Sequence, residues 1–213
     1  MSEIIVDDQI FIRQNWIVEQ DLEGWIKCMD DINQLRHLDK NILPVPYSNE
    51  MASENILQNK NYCDEQLGKQ DFCVQKLNLP IIYRNQKTSS NQLIGAILIR
   101  PAECLKYSFE SVEIGYVLDP AFQRKGIMSK SIKKFIDFVF DRFSGIKELT
   151  AIISDENVAS LKLVKRLGFK KNFNIREFHG RRHPDIIRKF GEKESVVGHA
   201  YSLSRSDFIQ VKI

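Results

Sequence analysis

The apolar and polar positions along the chain change period several times, which predicts an alternation of strands and helices. Residues 10–17 predict a first strand, and the apolar positions of residues 19–38 recur every three or four places, which predicts a helix. Two prolines then interrupt the chain, and residues 48–68 predict a second helix that begins with Ser48 as its N-cap.

The centre of the chain is predicted to form a sheet. Residues 72–83, 92–99 and 112–118 are strongly apolar and predict three strands. A polar turn at 85–91 separates the first two strands, and a loop at 101–110 precedes the third.

Two further helices are predicted in the second half of the chain. Residues 126–143 have one apolar face, which is typical of a helix packed on a core. A shorter helix is predicted at 158–167, with Asp155 or Glu156 as its N-cap and Gly168 as the C′ residue that ends it.

The remaining strands are predicted at 149–154, 169–178 and 196–203, with a polar, basic-leaning connection at 181–195. This mixture of alternating and neighbouring elements indicates an α/β or α+β fold with a partly antiparallel sheet. A length of 213 residues suits one domain over residues 1–213, in which 181–195 is an insertion in the last hairpin.

Composition narrows the class of protein only moderately. Hydrophobic residues make up 43% and charged residues 28% of the chain, and the net charge of +3 is too small to indicate a nucleic-acid partner. No stretch approaches the roughly 20 apolar residues that span a bilayer, and the N-terminus lacks a secretory signal, so a cytoplasmic location is expected. Reduced thiols, rather than disulfides, are expected for the four cysteines, Cys28, Cys63, Cys73 and Cys104.

Residues 119–128 lead from a predicted strand into a predicted helix and are a candidate anion site. Backbone N–H groups at a helix start favour anions, Gly126 allows a phosphate to approach closely, and Arg124 and Lys125 add positive charge. The alternative, in which the glycine only eases a tight turn, stays open. Neither a P-loop nor a dinucleotide-binding fingerprint occurs in the chain.

This loop resembles the acyl-CoA-binding loop of the GNAT acetyltransferases, whose pattern is (Gln/Arg)-x-x-Gly-x-(Gly/Ala). Gln123 and Gly126 match the pattern, whereas Met128 stands where a small residue is usual. A methionine fits at that place if its side chain points into the core.

A second segment strengthens the resemblance. Asn157, Ser160, Leu163, Gly168 and Phe169 follow one another at the spacing of the second GNAT signature. Two further segments, 43–48 and 197–208, resemble the RimJ/RimL-like branch of the family.

The resemblance implies a GNAT fold, with a mixed, mostly antiparallel sheet in which two parallel strands splay apart to admit acetyl-CoA. Those strands would be 112–118 and 149–154. The main chain of Val117 and Leu118 would bind the pantetheine arm, and Asn157 would hydrogen-bond near that arm or near the splayed strand. Gln123 and the amides that follow it would hold the pyrophosphate, namely those of Arg124, Lys125, Gly126, Ile127, Met128 and Ser129.

The resemblance also implies catalytic groups, because amine attack needs a proton acceptor and the leaving thiolate benefits from a donor. Strand alternation places Glu113 on the face opposite its apolar neighbours, and Glu113 is the candidate base, with a strand-end salt bridge or a place on an exposed face as the alternative. Many family members have a tyrosine acid four residues after the signature serine, where this chain has Val164. Ser160 is therefore the candidate acid, with helix capping as its alternative role, and the oxyanion would rely on a strand amide near Val117.

The acceptor is left open by the sequence. In this family it is selected by the N-terminal helices and the last hairpin. Trp25 fits the apolar stripe of its helix and is expected in the core. The basic connection is expected to be solvated, with attraction of an acidic peptide or of RNA as the alternative. No metal is expected, because the candidate histidines lack metal-ligand spacing: His179, His183 and His199.

The leading interpretation is an acetyl-CoA-dependent N-acetyltransferase that moves the acetyl group directly to a primary amine in a ternary complex. The amine is a protein N-terminus or a small molecule. A non-catalytic acyl-CoA-binding or sensing module is the alternative, and the modest charge disfavours an RNA-associated protein. No membrane partner is expected, and a homodimer stays open.

Overall fold

The computed structural model describes residues 3–35, 37, 46–68, 76–102, 110–181 and 184–210. Eight strands form one mixed sheet in the order β1-β2-β3-β4-β5-β6-β8-β7. Every neighbouring pair is antiparallel except β5 and β6, which are parallel. The strands are β1 (Glu3–Ile5), β2 (Ile10–Arg13), β3 (Leu77–Asn85), β4 (Ser90–Pro101), β5 (Ser111–Leu118), β6 (Glu148–Ser154), β7 (Lys170–Arg181) and β8 (Lys193–Ser204).

Helices flank the sheet and complete the core. Helices α1 and α3 pack against each other and against β4 and β3, while α4 contacts β1 and β2 and α5 contacts β6. The helices are α1 (Val18–Met29), α2 (Ile32–Leu35), α3 (Asn49–Gly68), α4 (Ile127–Arg142), α5 (Val158–Arg166), α6 (Pro184–Phe190) and α7 (Arg205–Gln210).

The predicted fold class and the apolar stripe of α4 are confirmed. The buried side chains of this helix recur at helical spacing, so one face of it belongs to the core. They include Ile132, Phe135, Ile136 and Val139. Trp25 is buried in the core as predicted, with its ring 5.1 Å from that of Trp16, measured between centroids.

The single helix predicted at 19–38 is instead divided into α1 and α2. The cause lies in two aspartates that hydrogen-bond to backbone groups outside a helical ladder. Asp30 Oδ1 accepts from the Tyr47 amide at 2.9 Å, and Asp31 Oδ1 accepts from the Asn33 amide at 3.0 Å. Such side-chain bonds to the backbone compete with helix propagation, and α1 therefore ends before Asp30.

Other boundaries differ as well. The connection predicted as a loop at 181–195 contains helix α6, whose Ile186 is buried. The N-cap of α5 is Asn157 rather than Asp155 or Glu156, because the Asn157 Oδ1 accepts from the Ser160 amide at 3.1 Å. The strand predicted at 72–83 is described from Leu77 onward, and its first residues lie outside the described part of the chain.

The described cysteines, Cys28 and Cys63, are buried free thiols. Burial raises the pKa of both, that of Cys63 to about 12, which keeps the thiols neutral and unreactive. Cys73 and Cys104 lie outside the described residues. Within the described part of the chain, no helix combines the length and apolar character that crossing a bilayer requires.

Candidate active site

The central feature of the site is a gap between the two parallel strands. Strands β5 and β6 pair only at their first positions, the last of which joins Glu113 to Thr150. Beyond that pair, β5 continues on β4 and β6 continues on β8, but they no longer pair with each other. The inner edges of residues 114–118 and 151–154 can therefore take an extended ligand with amide groups, as an added strand would bind.

The chain leaves β5 through a tightly bonded turn. The Asp119 amide donates to the Ile94 carbonyl at 2.8 Å, and Asp119 Oδ1 accepts from the Ala121 amide at 2.8 Å. Gln123 Nε2 then donates to the Leu118 carbonyl at 3.0 Å. These bonds hold the loop against the end of β5, so the side chain of Gln123 stabilises the loop conformation.

Helix α4 begins after two residues in the left-handed region. Arg124 has φ +61° and Gly126 has φ +76°, and a Cβ added at Gly126 would meet no atom within 4 Å. The first bond of the helix runs from the Lys130 amide to the Gly126 carbonyl at 3.1 Å. In the described residues, no hydrogen-bond acceptor is paired with the preceding backbone amides, those of Arg124, Lys125, Gly126, Ile127, Met128 and Ser129.

This arrangement fits an anion such as a diphosphate. The unpaired amides lie together at the positive end of a long helix, where the backbone dipoles also favour negative charge. The residues present therefore suit the pyrophosphate of CoA, which is the group that the sequence motif predicts for this loop.

The side chains around the loop divide between solvent and core. Arg124 is exposed, whereas Lys125 folds back, with Nζ donating to the Ala121 carbonyl at 2.8 Å and lying 5.2 Å from the Phe122 ring centroid. Met128 packs against the hydrophobic core. The unusual residue at the last motif position therefore leaves the backbone free to bind the ligand.

Glu113 lies at the foot of the gap. It is only 8% exposed, and its Oε1 accepts from Arg100 Nη2 at 2.8 Å. Its second oxygen, Oε2, is buried and has no hydrogen-bond partner among the described residues. The predicted alternative of a strand salt bridge is thus present, and it leaves one carboxylate oxygen available to a ligand.

A polar row crosses the sheet at the level of Glu113. The strand register aligns Arg100, Glu113, Thr150 and Ser202 on neighbouring strands, so their side chains share one face. The hydroxyls of Thr150 and Ser202 are 3.3 Å apart. At the end of the row, burial and then the charge of Arg100 lower the pKa of Lys76.

Helix α5 forms the other side of the gap. Asn157 caps the helix, which places Ser160 half-buried in its first turn. Val164 is buried in the core, where the family tyrosine would otherwise stand. Tyr116 of β5 has its hydroxyl beside Ser160, and burial raises the phenol pKa to about 12 against a smaller lowering by Ser160, although the two groups do not complete a hydrogen bond.

Sequence patterns gave Tyr116 no role, because its position on the apolar face of β5 indicated only packing. The absence of a tyrosine at Val164 was the one signal that a hydroxyl had to come from elsewhere. Of the histidines, His199 Nδ1 lies 2.8 Å from Asp155 Oδ1, and the side chains of His179 and His183 are outside the described residues. No group of three or more potential metal ligands occurs in the part of the chain that the structure describes.

A match to a known family accounts for this geometry. The acetyltransferase (GNAT) domain family matches residues 13–170, which is most of the chain. The chain therefore belongs to the GNAT acetyltransferase family. It is a GNAT N-acetyltransferase, and its acetyl donor is, by family, acetyl-CoA.

Individual relatives agree with this assignment. The uncharacterized N-acetyltransferase YoaA of Bacillus subtilis (strain 168) is 25% identical over 178 residues, covering 84% of this chain and 89% of YoaA. RimL, a ribosomal L7/L12 alpha-N-protein acetyltransferase solved with coenzyme A, has a TM-score of 0.69 at 17% identity and covers 97% of this chain and 99% of its own. MccE, a microcin C7 self-immunity acetyltransferase solved with acetyl-CoA and AMP, has a TM-score of 0.65 at 19% identity. The match covers 93% of this chain and 94% of the MccE chain. The two structures show that the fold is shared.

Proposed function

We propose that this protein transfers the acetyl group of acetyl-CoA directly to a primary amine that binds beside Glu113. The observation behind the proposal is the gap between β5 and β6, which ends at Glu113 and opens toward the unpaired amides at the start of α4. One end of the gap suits a diphosphate, and the other places a carboxylate where an amine can be deprotonated.

The donor is held along this path by main-chain groups. The amides of residues 124–129 bind the pyrophosphate, and the free edge of β5 near Val117 and Leu118 binds the pantetheine arm. The bond from the Asp119 amide to the Ile94 carbonyl sets the alternation of the β4–β5 ladder, so the main-chain groups of Val117 face β4 and those of its neighbours face the gap. Because Gln123 already donates to the Leu118 carbonyl, the Leu118 amide and the main chain of Tyr116 make the pantetheine contacts. Asn157 fixes the far wall by capping α5.

The chemistry requires one proton acceptor and two hydrogen-bond donors. Glu113 accepts the amine proton on its free Oε2, directly or through a water, while Arg100 holds Oε1 and fixes the carboxylate. A β5 amide near Val117 stabilises the charge on the acetyl oxygen. Ser160 donates a hydrogen bond to the departing sulfur, since a serine hydroxyl donates more readily than it ionises.

The acceptor binds on the Glu113 face of the sheet, over the polar row. The elements available to select it are α2 and α6, which contact each other. A protein N-terminus and a small-molecule amine both satisfy this geometry. On the same fold, RimL is an acetyltransferase for the ribosomal protein L7/L12, and MccE is a microcin C7 self-immunity acetyltransferase. The acceptor panel therefore includes both peptides and small-molecule amines.

Thiol release from acetyl-CoA, measured with a panel of peptides and small amines, tests the proposal. Turnover with at least one amine is expected, and Glu113→Gln should reduce it by about a hundredfold with CoA affinity unchanged. Glu110→Gln is the matched control, because Glu110 lies just before β5 in an exposed salt bridge with Lys147. Full activity of Glu113→Gln would refute the role of the carboxylate, and failure to bind CoA would refute the proposed site as a whole.

A further inference from the structure

The hydroxyl of Tyr116 is enclosed by the protein but lacks a hydrogen-bond partner among the described residues. Buried tyrosine hydroxyls normally find partners. Even less enclosed tyrosine hydroxyls have partners in this structure: the part-buried Tyr47 hydroxyl donates to the Met51 carbonyl at 3.5 Å, and the exposed Tyr83 hydroxyl accepts from Gln9 Nε2 at 3.3 Å. Leaving a buried polar group unpaired costs about 1–3 kcal/mol, so the unpaired state of Tyr116 requires a reason.

The position of Tyr116 supplies one. It lies on β5 beyond Glu113, the last residue paired with β6. Its hydroxyl is next to Ser160, in the helix that follows β6. The side chain therefore reaches from one wall of the gap to the other, at the place where the thioester end of the donor is expected.

The phenol is also in the protonation state that a donor needs. Burial raises the pKa of Tyr116 to about 12, against a smaller lowering by Ser160. The hydroxyl consequently keeps its proton throughout the physiological range and can donate a hydrogen bond at any pH at which the enzyme works.

We propose that Tyr116 is a catalytic residue that, beside Ser160, donates a hydrogen bond to the sulfur of the acyl donor and stabilises the thiolate as it leaves. This inference rests on the proposed function of the same gap. It gives Tyr116, on a strand, the hydrogen-bond donor role that a helix tyrosine has in many family members, where this chain has Val164.

The step balances without proton transfer from the phenol. The amine nitrogen forms a bond to the acetyl carbon, the carbon–sulfur bond breaks, and sulfur keeps the electron pair. The amine proton goes to Glu113 and then to solvent. An alkyl thiol has a pKa of about 8.5, below that of Tyr116, so the phenol keeps its proton and the thiolate is protonated by water after it leaves the gap.

Binding of CoA and of desulfo-CoA, which lacks the sulfur, tests the proposal without any turnover. Both affinities are measured at pH 7 and at about pH 9.5, where the free thiol is mostly ionised and Tyr116 still holds its proton. For Tyr116→Phe we expect about a tenfold loss of CoA affinity at the higher pH, no change for desulfo-CoA, and a fall in kcat of at least tenfold at unchanged KM for acetyl-CoA. Tyr83→Phe, which removes a hydroxyl from another strand of the sheet, should change none of these.

The outcomes separate the two proposals. Equal losses for CoA and desulfo-CoA would show that Tyr116 only supports the structure, and wild-type behaviour of Tyr116→Phe in both assays would also overturn the inference. If the wild-type protein binds neither ligand, the proposed function fails instead. The variant should fold normally, because it removes an oxygen that has no partner, and its Tm should equal or exceed that of the wild type.

Discussion

Gly126 and Gly191 both have a left-handed backbone conformation. Replacing each by alanine therefore distinguishes the effect of backbone strain from the loss of the proposed anion site. Their φ angles are +76° and +77°, and an added Cβ meets no atom within 4 Å at either position. The left-handed conformation costs other residues about 1–2 kcal/mol. Alanine also lowers the conformational entropy of the unfolded chain, which offsets about 0.4–1 kcal/mol of that cost. Both substitutions should therefore lower the free energy of unfolding by about 1 kcal/mol, and by the same amount.

Only Gly126→Ala should weaken CoA binding. Its methyl group would project into the open space beside the unpaired amides at the start of α4, where the pyrophosphate is proposed to sit. We expect at least a tenfold rise in Kd, which corresponds to about 1.4 kcal/mol. Gly126→Asn should recover part of the stability, since asparagine tolerates the left-handed region, without recovering the affinity.

Urea unfolding gives the stability of each variant, and titration calorimetry with CoA gives its affinity. Gly191 lies between α6 and β8 and not in the loop that leads into α4, so Gly191→Ala should bind CoA like the wild type. Equal CoA affinities for the two alanine variants would refute the placement of the pyrophosphate. Unequal losses of stability would refute the argument from φ.

Substitutions at four further positions test the framework that holds the site. Asn157→Ala and Ser48→Ala each remove a helix-capping hydrogen bond and should each cost about 1 kcal/mol by urea unfolding, but only Asn157→Ala should also lower turnover. Arg205→Ala removes the guanidinium that donates to the carbonyls at the end of α4 and beyond, and thermal unfolding should show a larger loss than for Arg205→Lys. Asp21→Ala leaves the buried charge of Arg13 without its carboxylate partner and should cost about 3–5 kcal/mol by urea unfolding, whereas a small loss would show that water reaches the pair.

Strong periodicity made part of the fold predictable from the sequence. Helix α4 was predicted at 126–143 and lies at Ile127–Arg142, because a long apolar stripe fixes both its type and the face it buries. Strand β5 was predicted at 112–118 and lies at Ser111–Leu118. In both cases burial of one face determines the element, and the sequence records that face directly.

Short elements and local competition were not predictable in the same way. Helices α6 and α7 contain too few residues to show a period, so their form depends on tertiary contacts such as the burial of Ile186. The break between α1 and α2 depends on a local bond of Asp31 to the Asn33 amide and on a bond of Asp30 to the Tyr47 amide, which comes close only in the folded chain.

The candidate site shows the same division. The loop around Gly126 could be predicted, because a glycine before a helix and its spacing to Gln123 are visible in the sequence. The unpaired hydroxyl of Tyr116 could not, since a tyrosine on the apolar face of a strand is normally part of the core. Its significance depends on what surrounds its oxygen, which is a property of the folded protein alone.

The divergence of β5 from β6 explains how the proposed base and the proposed donor can act on one thioester. Glu113 and Tyr116 are three positions apart on β5, so their side chains leave the strand on opposite faces, roughly 10 Å apart along the chain. In a sheet paired on both edges, such groups would be separated by a continuous layer of backbone. Because the pairing with β6 stops at Glu113, a ligand in the gap is open to both faces, and the amine can approach from the face of Glu113 while the sulfur faces Tyr116. The proposed chemistry thus depends on where a hydrogen-bonded ladder ends as much as on the side chains beside it.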